Sequence, residues 1–122
     1  MCAFGFARSA ADRVYSKDQA ARGKSLYEEQ CSKCHGDTLG TGDGSPELAG
    51  ADFLGRWSGK TVEDLFDVVH KTMPTDDPGH LSTRQTADVL AYILSENKFP
   101  AGDQPLANDA AALKEIQIGK SQ

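Results

Sequence analysis

Residues 31–35 read Cys-Ser-Lys-Cys-His, and no other stretch limits the chemistry of this chain so tightly. A pair of thiols at this spacing serves a dithiol redox site, half of a zinc site, or the attachment of a c-type haem. In the last case the two thiols form thioethers with the vinyl groups on one side of a porphyrin, and the adjacent His supplies a ring nitrogen to the iron. A thioredoxin-like site needs a βαβ setting, and no strand pattern is visible. A zinc site needs a second Cys or His pair, and His70 and His80 make no finger spacing. The pattern points to one haem c, covalently held by Cys31 and Cys34 with His35 as an axial ligand. A haem-free thiol or zinc protein is the alternative.

A second axial ligand is expected on the far side of the iron. Apart from Met1, the only methionine is Met73, just past a helical pattern and directly before Pro74. A thioether there completes His/Met ligation, which raises the reduction potential relative to two nitrogens. The competing role for Met73 is a core gap-filler. His70 sits one helical position from an apolar stripe, and His80 follows Pro78-Gly79 in a turn-rich loop. Both are rival ligands with ordinary surface roles as their default.

Three helices are expected. The first runs from about Asp18 to Gln30, capped by Ser16 or Asp18, with Ala21, Lys24, Leu26 and Tyr27 available to pack. Thr61 and Asp64 make an N-cap pair, and Val62, Leu65, Phe66 and Val69 then recur at helical spacing as far as Lys71. Ser82 and Gln85 make a second capping box before a helix from Thr83 to Ser95, with Ala87, Leu90, Ala91 and Leu94 on one face and Val89 and Ile93 widening it. Between the first two helices, Gly36, Gly40, Gly42, Gly44, Pro46 and Gly50 mark a long loop that cannot bury its own backbone unaided and is suited to wrapping around something. A short helical turn is expected around Ala110–Glu115.

The fold class is all-α: three main helices and long loops wrapped around one haem. The boundaries are 1–16 as a flexible lead (a signal remnant or a cloning scar, with Cys2 unexplained), 17–97 as the haem domain, and 98–122 as an extension. At 122 residues the chain is one domain, and an apolar cofactor adds usefully to its modest core. With a net charge of −5, nothing suggests a nucleic-acid binder, which would favour a basic face. No stretch approaches the ~18 apolar residues of a membrane span. A monomer is expected.

The chain resembles the class I cytochromes c from Ala20 to about Asn97. The likeness rests on Gly23-x-x-x-Tyr27, Cys31-x-x-Cys34-His35-Gly36, Pro46-x-Leu48-x-Gly50, Met73-Pro74 and Ala91-Tyr92. Leu39-Gly40, Phe53…Trp57 and Phe99-Pro100-Ala101-Gly102 look most like the single-haem cytochromes, or cytochrome domains, associated with quinone-cofactor dehydrogenases. The resemblance implies a close crossing of the first and last helices at Gly23, with Tyr27 and Tyr92 packed there. It implies that the Pro46 carbonyl accepts a hydrogen bond from the ligand His ring, and that Arg56 and Trp57 contact the haem pocket.

The function so implied is single-electron transfer without substrate chemistry, so the chain is not expected to be an enzyme. Electrons pass through the porphyrin edge near Cys31 to small, transient partner surfaces under ~1,200 Å². The expected partners are a dehydrogenase donor and an oxidase or other cytochrome acceptor, and haem attachment implies a periplasmic or otherwise exported location. Two alternatives stand beside it: the haem subunit or domain of a dehydrogenase complex, and a haem peroxidase if Met73 dissociates.

Overall fold

Both capping pairs read from the sequence are made, and each starts a helix. The Ser82 amide donates to Gln85 Oε1 at 2.9 Å and the Gln85 amide to Ser82 Oγ at 3.1 Å. Thr61 and Asp64 exchange the equivalent bonds at 3.1 and 3.2 Å. At the first helix the Gln19 amide donates to Ser16 Oγ, so Ser16 is the cap. Each such cap satisfies amides that have no partner inside the helix, and losing one costs about 1 kcal/mol.

The structure, a computed structural model, describes residues 8–30, 50–72, 79 and 81–118. In chain order these form β1 (Arg8–Ser9), a 3-10 turn (Ala10–Asp12), α1 (Lys17–Gln30), α2 (Ala51–Trp57), α3 (Val62–Thr72), α4 (Thr83–Glu96), α5 (Ala110–Leu113) and β2 (Ile116–Gln117). The three expected main helices are α1, α3 and α4, and α5 is the short turn expected around Ala110–Glu115; α2 was not expected. β1 and β2 form a two-stranded parallel pair, too short to show as a strand pattern in the sequence. Among the described residues no helix is long and apolar enough to cross a membrane.

α1 and α4 make the most extensive helix contact among the described elements. A Cβ on Gly23 would lie 1.8 Å from the Asp88 carbonyl oxygen and 3.0 Å from Tyr92 Cβ, so only glycine permits the crossing. One turn further along, the Tyr27 and Tyr92 rings meet at 5.5 Å and 53°, a tilted pair worth ~0.5–1.5 kcal/mol beyond its buried area. The face that α1 buries differs from the expected one. Gln19, Ala20, Gly23 and Tyr27 are buried and Leu26 half-buried, whereas Ala21 and Lys24 face solvent. Glycine contributes nothing to a hydrophobic pattern, so the true contact face is invisible to a reading by apolar spacing.

From Thr86 to Leu94 every residue of α4 is buried, beyond the single face read from its spacing, because α1 and α3 both pack on it. The one carboxylate in that run, Asp88, receives Arg22 Nε and Nη2 at 3.3 and 3.4 Å. A buried carboxylate needs such a partner.

The two ends of the chain depart furthest from the sequence reading. Ala10, Val14 and Tyr15, from the expected flexible lead, and Leu106, Leu113, Ile116 and Ile118, from the expected extension, are buried in one core cluster with α1, α3 and α4. Irregular backbone needs partners at every step, and here the two ends supply them to each other. Gly102 N donates to Tyr15 O at 2.7 Å, Tyr15 Oη to Phe99 O, and Arg13 Nη1 to Ala101 O. The Gln19 side chain both donates to and accepts from the Leu106 backbone. Gly59 N donates to Ile118 O and Ile118 N to Lys60 O, which fastens the tail beside the start of α3.

Gly23→Ala gains ~1 kcal/mol of helix propensity, but the clash with a backbone oxygen outweighs it. The variant should lose about 3 kcal/mol or more in chemical denaturation, at the upper end of overpacking costs. Burial pushes the Tyr15 phenol above its ordinary value of 10.0 and does the same, helped by Glu96 and Glu28, to Tyr92. The folded state thus favours the neutral phenols. Their contribution is whole below the free-phenol value and is lost as pH rises through the higher folded values. Denaturation midpoints should fall above about pH 10, and Tyr15→Phe should fall less steeply than the parent.

Candidate functional site

Two helices lead up to the candidate ligand segments. α1 ends at Gln30, immediately before Cys31, and α3 ends at Thr72, immediately before Met73. Both pack on α4, α1 through the Gly23 crossing and α3 through its buried Val62, Leu65, Phe66 and Val69. Cys31, Cys34, His35, Pro46 and Met73 lie outside the described residues, as do Cys2 and His80. The donor set nevertheless fits a c-type haem chemically: two thiols for thioether bonds, an imidazole beside them, and a neutral thioether for a second axial position. Among the described residues no group of three or more His, Cys, Asp or Glu gathers to hold a metal ion.

Of the remaining candidates, Arg56 and Trp57 stand in the last turn of α2. Trp57 is half-buried, its ring 6.4 Å from that of Phe53, and Phe53 is wholly enclosed. Arg56 faces solvent. His70 occupies the last turn of α3, half-buried with its ring 5.6 Å from Phe66, which matches the expected helix histidine resting beside the apolar stripe.

The sequence reading missed α2 and its anchor. Gly50 takes φ +98° at the N-cap, a backbone conformation suited to glycine, and has no side chain to cap the helix. Its amide instead donates to Asn97 Oδ1 at 3.0 Å, while Asn97 Nδ2 donates to Ile93 O at 2.8 Å at the end of α4. The available signal was Phe53, Leu54 and Trp57 at i, i+1 and i+4 after a glycine. A single helical turn of apolar residues carries little weight by periodicity alone.

The family model described as cytochrome c oxidase, cbb3-type, subunit III matches residues 18–93, from the start of α1 almost to the end of α4. The tail that closes the core against residues 8–16 lies beyond that match. The cbb3-type cytochrome c oxidase subunit FixP of Azorhizobium caulinodans is 29% identical over 103 residues, 76% of this chain and 34% of the relative. The chain thus spans about a third of that protein's length. Among solved structures, the sulfane dehydrogenase SoxCD from Paracoccus pantotrophus is similar, with a TM-score of 0.60 and 22% identity over 88% of this chain and 62% of that one. This likeness is one of fold.

The contrast within α2 is measurable. Phe53→Ala should cost about 3–5 kcal/mol in denaturant unfolding, as for an enclosed aromatic. Arg56→Ala should stay within ~0.5 kcal/mol of the parent, as for an exposed side chain.

Proposed function

The chain belongs to the cytochrome c oxidase, cbb3-type, subunit III family of class I c-type cytochromes, and from that premise we propose that it carries one covalently bound haem c and moves single electrons between redox proteins. The observation that carries this reading is the placement of Cys31-x-x-Cys34-His35 directly after α1 and of Met73 directly after α3, with both helices packed on α4. When bound, the haem supplies a one-electron Fe(II)/Fe(III) couple.

In this reading Cys31 and Cys34 would hold the haem through thioethers, and His35 and Met73 would ligate its iron. The Pro46 carbonyl orients the His35 ring, which keeps the imidazole in one tautomer and raises its basicity. Trp57, at the edge of the core, shields the pocket from water, and Arg56, on the solvent side, neutralises propionate charge. Burial, ligand type and hydrogen bonding then tune the potential. With His35 and Met73 both serving as ligands, the chain would bind no substrate at the iron and make no bond.

The partners are redox proteins. FixP bears the name of an oxidase subunit and SoxCD that of a dehydrogenase. Electrons accordingly pass from a dehydrogenase to a respiratory acceptor. A second reading is a haem subunit or domain of a dehydrogenase complex, in keeping with the likeness to SoxCD. Either role places it in the periplasm or another exported compartment, where haem is attached to such motifs.

A visible spectrum of protein expressed with haem-maturation machinery tests the reading. Sharp c-type bands on reduction are expected, together with the weak red-end band of iron–methionine ligation in the oxidised form. Met73→Ala should abolish that band, lower the potential, and let cyanide or peroxide reach the iron. Unchanged ligation in this variant removes Met73 from the site, and a colourless parent protein returns Cys31 and Cys34 to thiol or zinc chemistry.

A further inference from the structure

Asn97 stands just after α4, outside every candidate ligand set, yet it is buried and its amide joins two elements. Its Nδ2 donates to Ile93 O at 2.8 Å, which fixes the side chain on the last turn of α4. Its Oδ1 then accepts from Gly50 N at 3.0 Å. Gly50 is the first described residue after the segment holding Cys31, Cys34, His35 and Pro46, and it begins the helix that carries Phe53, Arg56 and Trp57. The start of that segment is fixed as well, because α1 crosses α4 at Gly23 and meets it again at Tyr27–Tyr92. The chain between Gln30 and Gly50 is therefore held at both ends on one helix. The exit depends on a side-chain amide, since α2 has no side-chain cap and the left-handed Gly50 cannot be replaced without strain.

We propose that Asn97 is a positioning residue for the haem pocket. It fixes the exit of the Cys31–Pro46 segment and the start of the Trp57 helix, and so sets how completely the pocket excludes water. The role rests on the haem reading above. The Oδ1 acceptor holds Gly50 N, and the Nδ2 donor to Ile93 O adds stability at the end of α4. An aspartate keeps the acceptor for Gly50, but it loses the donor and places negative charge at the carbonyl end of α4, where the helix dipole opposes it. An alanine keeps neither bond.

The two substitutions therefore separate tethering from stability. The full-length holoprotein is compared as parent, Asn97→Ala and Asn97→Asp by four readouts: Gly50 amide exchange, Trp57 fluorescence, reduction potential and thermal midpoint. In Asn97→Ala, Gly50 exchange should accelerate roughly five- to tenfold, the equivalent of one net hydrogen bond. The fluorescence of Trp57, the chain's one tryptophan, should rise as α2 moves away from the quenching haem. The potential should fall as water reaches the pocket and favours the charged, oxidised state. In Asn97→Asp the thermal midpoint should also drop and the added charge should lower the potential, yet Gly50 exchange and fluorescence should stay near the parent values. A purely structural role predicts that all four readouts follow the thermal midpoint in both variants, and that pattern overturns the proposal. So does Asn97→Ala with unchanged Gly50 exchange, or with accelerated exchange and an unchanged potential. If Asn97→Ala does not fold, the Asn97→Asp comparison decides alone by the same criterion. A parent protein without haem bands defeats the underlying reading before any variant is compared.

Discussion

Two helices at ordinary spacing cannot approach as α1 and α4 do here, because a β-carbon at position 23 would fall 1.8 Å from the Asp88 carbonyl oxygen. That missing carbon sets the geometry of the whole molecule. It lets Arg22 reach the buried Asp88 carboxylate and brings Tyr27 against Tyr92. It leaves α1 ending, at Gln30, on a helix that also supports α3. Each candidate ligand segment thus departs from an element already fixed to α4. The closeness lies within the range of dispersion and steric forces only, so the arrangement tolerates almost no change of volume at the crossing.

What the sequence makes legible here is whatever local chemistry decides. Ser82 with Gln85 and Thr61 with Asp64 place the starts of α4 and α3, since a cap needs only its own neighbours. Apolar spacing finds the buried side of α3 for the same reason. Of the candidate site, the thiols, the imidazole and Met73 are legible as a donor set, and the two helices that precede them are found where the spacing puts them. Asn97 was not legible as an anchor. Its side-chain amide joins Ile93, four residues away, to Gly50, 47 residues away, and nothing in its own surroundings announces the distant one.

The terminal segments fail to be legible for a different reason. Val14, Tyr15, Leu106 and Ile118 lie outside regular elements, and Ala10, Leu113 and Ile116 sit in elements of two to four residues, too short to display a period. Periodicity measures regular backbone and is blind to such residues. Gly102 shows the same limit in another form. Its added Cβ would lie 2.5 Å from Arg13 O, so it serves a close backbone passage like that at Gly23, but between two segments with no regular structure.

The joining of residues 8–16 to residues 99–118 also has a consequence for synthesis. A ribosome delivers the chain from its N-terminus, so Ala10, Val14 and Tyr15 emerge long before Leu106, Leu113 and Ile118 exist to cover them. α1 likewise waits for α4 before its glycine face has anything to cross. Closing such long-range contacts is slow because the connecting chain must first surrender its freedom. During that interval Cys31 and Cys34 belong to an open chain, in which their thiols are free to react.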